Sequence, residues 1–210
     1  MTFTTFLVAA LVLAITPGPG IAYVVARTAA GGRAEGLASC LGTGLGGLLH
    51  VAATAVGLSV LVAQSAVAFT VVKFVGAAYL VYLGVRLLMR RPAADAEAGA
   101  LAPVRAEGAR RAFVEGIVVE ALNVKTALFF LAFLPQFVNA AQPLVPQLVL
   151  LGCICVALNT LVDVVAVLAA QRLLASGPAR AARQRLMTRL SGLTMIGLGV
   201  FLAAARRQAG

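Results

Sequence analysis

The sequence predicts an all-α integral membrane protein whose six transmembrane helices form two three-helix inverted repeats. Three observations predict it. Of the 210 residues, 61% are hydrophobic and 11% charged, with a mean hydropathy of +1.00, whereas soluble proteins carry about 25% charged residues. The apolar residues gather into six segments, each long enough for the roughly 20-residue helix that a bilayer core requires. Finally, the first and fourth segments each hold an anomaly, Thr16-Pro17-Gly18-Pro19-Gly20 and Asn123-Val124-Lys125.

Segment one covers residues 4 to 26. Two prolines and two glycines in four residues interrupt its helix, because proline lacks the backbone donor and glycine lacks helix propensity. In lipid, broken backbone is tolerated only where protein buries it or where it lines a watery cavity, so the break marks a solute site. The stretch reads as a retained span rather than a signal peptide, since no basic n-region precedes it and no small-residue cleavage site follows. Segment two (36 to 63) places Gly42, Gly46, His50, Thr54 and Gly57 on one face. Such a face lets helices approach closely, and it suits homodimerisation or packing within one subunit equally. Segment three (66 to 88) is followed by a polar, alanine-rich linker, 89 to 111. Segment four (112 to 138) carries Asn123, whose side chain competes for backbone bonds and favours a local break. Segment five (144 to 171) lines up Gly152, Cys155, Asn159, Asp163, Ala166 and Ala170 on one face. A basic stretch precedes segment six (190 to 205).

The halves, 1–88 and 112–210, share faint features within one membrane domain. Lys73-Phe74-Val75-Gly76 opens segment three as Arg189-Leu190-Ser191-Gly192 opens segment six, and Gly84 and Gly199 follow. Three spans per half is odd, so repeats would insert with opposite topology, with a site near the midplane between their broken helices. Unrelated glycine-bearing apolar helices would look much the same. Thirteen of the seventeen Lys and Arg residues lie in the loops after segments one, three and five. Positive-inside topology then puts those loops, the 89–111 linker included, in the cytoplasm and both termini outside, with Arg206 and Arg207 against the trend. The same placement explains the net charge of +10 without nucleic acid. Cys40, Cys153 and Cys155 lack the flanking pattern of a metal or disulfide framework. No cofactor motif appears, and no H-E-x-x-H or comparable enzyme signature.

Ionisable groups at mid-bilayer cost roughly 2.5–3.5 kcal/mol each on insertion scales, so His50, Glu120, Lys125 and Asp163 need reasons. Asp163, with Asn159 one turn before it, could receive an ammonium group or a proton, or could pair with Lys125 to join two helices. His50 suits a hydrogen-bonded packing role and, less well, proton transfer. Glu120 lies about 7 Å deeper than Glu115. Glu115 itself reads as interfacial.

Together, Thr16-Pro17-Gly18-Pro19, the Gly42-Gly46-His50 face, Lys73-x2-Gly76-Ala77-Ala78-Tyr79-Leu80-x-Tyr82-Leu83-Gly84 and Leu122-Asn123-x-Lys125-x2-Leu128-Phe129-Phe130-x3-Leu134-Pro135-Gln136-Phe137 resemble the lysine exporter superfamily, in particular its homoserine/threonine resistance branch. The resemblance covers nearly the whole chain. It implies a multi-pass exporter of amino acids or close derivatives in the bacterial inner membrane, using no ATP and driven by an ion gradient, expected to be protons. A cation exporter of the wider superfamily and a passive small-solute channel are the rival readings. Val124 stands where the family usually has proline, Gly20 where it often has Asn or Asp, and Glu120 where it often has a neutral polar residue. The expected solute site comprises Pro17, Gly18, Pro19, Gly20, Asn123, Lys125, Asn159 and Asp163, with Asp163, Glu120 and His50 as proton-coupling candidates and no metal. Interrupted helices and Lys125 would face a carboxylate, and Asp163 the amino group or proton. Gly20 is expected to act through backbone shape, so that Gly20→Ala is better tolerated than Gly20→Leu.

Overall fold

A computed structural model describes residues 2–64, 66–89, 106–139, 141–174 and 177–204, and every regular element among them is helical. The order is α1 (Phe3–Ile15), α2 (Pro19–Gln64), α3 (Ala66–Met89), α4 (Ala109–Ala121) and α5 (Val124–Leu128). A π-helical turn (Phe129–Phe133) and a 3-10 turn (Leu134–Phe137) continue α5, and α6 (Leu144–Leu174) and α7 (Gly177–Ala204) complete the chain. Most of the expected linker, together with Arg206 and Arg207, lies outside the described residues.

Segments one and two do not separate through a loop. Helix continues through the region between them, and only Gly32 leaves helical geometry, with φ 75° and ψ −169°. That left-handed φ is open to glycine and strained for other L residues. Arg27 and Glu35, eight residues apart across this turn, lie 3.4 Å from each other. The anomaly in segment one falls where expected, between α1 and α2, and that in segment four between α4 and α5.

Among the described residues, two helices, Pro19–Gly57 and Leu144–Ala170, are long and apolar enough to cross a membrane; the pair Ala109–Ala121 and Val124–Phe137, bent by 44°, adds a third if counted as one span. The sequence reading counted six. Part of the difference is physical: a break divides each of segments one and four, and a 13-residue helix such as α1 or α4 extends only about 20 Å against the ~30 Å of a hydrocarbon core.

Burial runs opposite to that of a soluble protein. Val56 and Leu122 are 71% and 74% exposed, whereas Arg27 and Asp163 are 2% and 8% exposed. Apolar side chains outside and polar ones inside are what lipid as solvent favours. The apolar core joins Phe6, Ala10 and Leu13 of α1 to Phe129, Phe130, Phe133 and Leu134, and to Leu148, Leu151 and Cys155 of α6. Elsewhere helices meet through small residues. A Cβ on Gly46 of α2 would lie 2.7 Å from the Ile117 carbonyl of α4, and one on Gly116 of α4 would lie 2.8 Å from the Ser39 carbonyl of α2. The Gly42-Gly46 face thus packs within the chain and leaves no surface there for a homodimer. On the opposite pair, Gly84 of α3 meets the Gly192 carbonyl of α7, and Gly199 of α7 meets the Ala77 carbonyl of α3.

Candidate functional site

The first break is built by Thr16, Pro17 and Gly18. The Thr16 amide and hydroxyl both turn back to the Val12 carbonyl, at 3.1 and 2.6 Å, which closes α1. Pro17 cannot donate, and its ring clashes with the preceding turn and keeps Thr16 extended, at φ −67° and ψ 113°. Pro19 then takes the first position of α2, where a proline is well suited because that N–H has no helical acceptor. The Gly18 carbonyl accepts from the Ala22 amide at 3.0 Å.

The second break forms without a proline. Asn123 leaves the helix at φ −74° and ψ 100°, and its Oδ1 accepts from the Lys125 amide, so that it caps α5. Glu120 bridges the break: Oε2 accepts from Asn123 Nδ2 at 3.0 Å and Oε1 from the Thr126 hydroxyl at 2.6 Å. The Glu120 carbonyl accepts from the Asn123 amide at 2.9 Å and pairs with His50 Nε2 at 2.8 Å. A carbonyl can only accept, so Nε2 carries the hydrogen.

The two breaks meet. Lys125 Nζ donates to the carbonyls of Leu13 and Thr16, at 3.1 and 2.9 Å. It caps the C-terminal end of α1, where a cation complements the helix dipole. Its stem lies over Gly18, whose added Cβ would come within 3.1 Å of Nζ. The Glu120 carboxylate correspondingly lies over Gly20, in the first turn of α2, where an added Cβ would come within 2.7 Å of Oε2. The bare backbone at Gly20 thus makes room for a bonded carboxylate, which even an alanine there would press against.

Asp163 of α6 is buried, and its Oδ2 lies 3.0 Å from the Thr43 hydroxyl of α2. Among the described residues no ion pair joins it to Lys125. Asn159 bonds within its own helix, to the Cys155 carbonyl at 2.9 Å. Pro17, Gly18, Pro19, Gly20, Asn123, Lys125, Glu120 and His50 are thus drawn together by direct contact or by sequence. Asp163 joins them through Thr43, whose methyl lies 4.0 Å from the same Gly20 Cβ position. Thr43 and Thr126, both buried, were missed by the sequence reading. The spacing of Thr43 from Asp163, 120 residues, offered no signal. Among the described residues no group of three His, Cys, Asp or Glu side chains could hold a metal ion.

A second polar cluster was also missed. Arg27 pairs with Glu115, with Glu107 at 3.3 Å and with Glu35 at 3.4 Å, and its Nε donates to Tyr23 Oη at 3.1 Å. Glu35 Oε1 accepts from the Glu107 and Gly108 amides at 3.0 and 2.7 Å, while Arg111 pairs with Glu107 and Glu115. This clasp fastens α2, on both sides of Gly32, to the start of α4.

The chain is 30% identical over 205 residues to an uncharacterized membrane protein of Vibrio cholerae, covering 96% of each. It is 31% identical over 205 residues to the homoserine/homoserine lactone efflux protein of Salmonella typhi, covering 96% of this chain and 95% of that protein. To the leucine efflux protein of Salmonella choleraesuis it is 27% identical over 143 residues, 68% and 66% of the two chains. No solved structure matches. Residues 11–206 match the family described as LysE type translocator, so this membrane-integral helical chain belongs to the LysE family of translocators.

Proposed function

We propose that the chain is a secondary active exporter of amino acids or close derivatives in the bacterial inner membrane, coupled to protons and working by alternating access. The observation that carries this reading is the meeting of the two breaks beside Asp163. Lys125, Glu120 and Asp163 are all buried, and by formal charge two acids face one base. Within a membrane such an excess calls for a mobile positive charge, and a proton or a substrate ammonium group can each supply it. Thr43 supports Asp163 as the exchange point: its single hydroxyl hydrogen faces two acceptors, the Cys40 carbonyl and Asp163 Oδ2, both at 3.0 Å. A protonated Asp163 would donate to Thr43 and free that hydrogen for Cys40, and a bound ammonium would replace the proton. Lys125 already gives two of its three donors to α1. It therefore acts first as the cap that shapes the site, with the third donor available to a substrate carboxylate alongside the N-terminal amides of α2.

In this reading the chain forms one transporter domain. The six segments make two inverted repeats, 1–88 and 112–210, joined by a cytoplasmic linker, with both termini outside. Two features support it. Each break follows a 13-residue helix. The α3–α7 contacts also interchange: with Gly76 matched to Gly192 and Gly84 to Gly199, swapping the halves turns the Gly84·Gly192 contact into the Ala77·Gly199 contact within one residue. The halves would rock about the breaks to open the site alternately.

Export into inverted vesicles, with a panel of twenty amino acids and with or without a proton uncoupler, tests the proposal. Uphill, uncoupler-sensitive export of at least one amino acid is expected, and Asp163→Asn should abolish the uphill component at normal membrane levels. Flux that only runs downhill and ignores the uncoupler would instead identify a channel. Cation flux without amino acid flux would identify a cation exporter.

A further inference from the structure

We infer that Glu120 is a positioning residue that holds segment four bent at Asn123, in the part a proline at the next position would otherwise play. The inference deepens the proposed function and rests on it only for its export readout. The bend of 44° arises in a stretch, Leu122-Asn123-Val124-Lys125, that contains neither proline nor glycine. A bend of this size normally has an identifiable cause such as proline, a glycine pair or an inserted group. Here the backbone already has the form that proline imposes on its predecessor. Asn123 sits at φ −74° and ψ 100°, out of the α region and at the border of the extended region to which proline drives its predecessor. Val124 is the first residue of α5, the position where proline fits best.

What holds Asn123 there is the carboxylate reaching across the break. Both oxygens are engaged, one with the side-chain amide of Asn123 and the other with Thr126 in α5. All three residues are buried, so each bond is shielded from competition by water. The room for this bridge comes from the other break, because the carboxylate occupies the space that a side chain on Gly20 would fill. Glu120 and Gly20 therefore form one unit, in which the bare backbone of α2 accommodates the latch of segment four. A carboxylate spent on two donors holds geometry rather than ferrying a proton.

The test combines Glu120→Ala, Val124→Pro and the double variant of the full-length protein. Thermal midpoints are measured in detergent and export is measured in vesicles. Glu120→Ala should lower the midpoint and cut export about tenfold or more through misplaced site groups, while Val124→Pro alone stays near the parent. The double variant should recover most of the midpoint and most of the export, with the parent's pH profile and uncoupler sensitivity. Gly20→Ala should lower the midpoint in the parent background and have no such effect in the Glu120→Ala background. Failure of Val124→Pro to restore the midpoint, or a loss caused by Val124→Pro alone, would overturn the inference. So would a double variant that regains its midpoint but exports without uncoupler sensitivity, since Glu120 would then carry the proton. If the parent exports no amino acid, the proposed function fails, whereas the midpoints still decide the role of Glu120.

Discussion

Replacing Lys125 with methionine removes the two hydrogen bonds that close the C-terminal end of α1, to the Leu13 and Thr16 carbonyls, while keeping most of the stem volume. A buried acceptor left unpaired costs about 1–3 kcal/mol, so two of them set a loss of about 2–6 kcal/mol. The methionine variant no longer pays to bury an ammonium group, a relief that works in the opposite direction, and the net loss should fall at about 2–3 kcal/mol. For a chain of this size that corresponds to a drop in thermal midpoint on the order of 5–10 °C, measurable on purified protein in detergent. Gly18→Ala adds a specific check. Its new Cβ would lie 3.1 Å from Nζ and 3.2 Å from Cε, forcing the capping ammonium back from its carbonyls, at about 1 kcal/mol for one weakened bond. In the Lys125→Met background there is no ammonium to displace, and that cost should vanish. Equal costs of Gly18→Ala in both backgrounds would refute the capping geometry. An unchanged midpoint in Lys125→Met, combined with a raised KM for the exported solute, would show that the ammonium serves the solute instead.

Other substitutions probe the frame around the site. Gly46→Leu should destabilise by about 3 kcal/mol or more through overpacking, because its side chain starts 2.7 Å from the Ile117 carbonyl; a near-normal midpoint in detergent would mean that α2 and α4 do not cross there. Arg27→Ala should cost about 3–5 kcal/mol, as expected when one partner leaves a buried ion pair, whereas Glu115→Gln should cost less because that carboxylate is 37% exposed and solvent screens it. The two midpoints measured side by side check the ranking. Gly32→Ala should lose about 1–3 kcal/mol, because its φ of 75° and ψ of −169° suit glycine almost alone; a gain in stability would place the turn elsewhere.

The breaks were legible in the sequence because proline, glycine and asparagine act on their own backbone, within a few residues. Pro17 interrupts its helix whatever surrounds it, and Asn123 marks where a break is favoured, although what holds that second break open lies in its neighbours. The direction of Lys125 was not legible. A lysine inside an apolar segment advertises its charge but not its acceptors, and here the acceptors lie 109 and 112 residues away. The clasp was hidden for another reason: Arg27 reads as one more positive-inside charge and Glu115 as an interfacial acid, and only the turn at Gly32 brings them together with Glu35. Glu120 and Gly20 each appear as a departure in the sequence, one a charge too many and one a side chain too few. Their relation emerges only when the carboxylate is found occupying the glycine's empty space.

The hydrogen bond from His50 to the Glu120 carbonyl has a mechanical consequence. In an unbroken helix that carbonyl would receive the amide of Val124, four residues on. The imidazole of α2 stands in for that amide, so part of the bond that would anneal segment four has been lent to a neighbouring helix. That carbonyl already holds the Asn123 amide at 2.9 Å, so in a straightened segment the Val124 amide would have to compete with the imidazole for what remains of the acceptor. The histidine thus ties the position of one helix to the curvature of another.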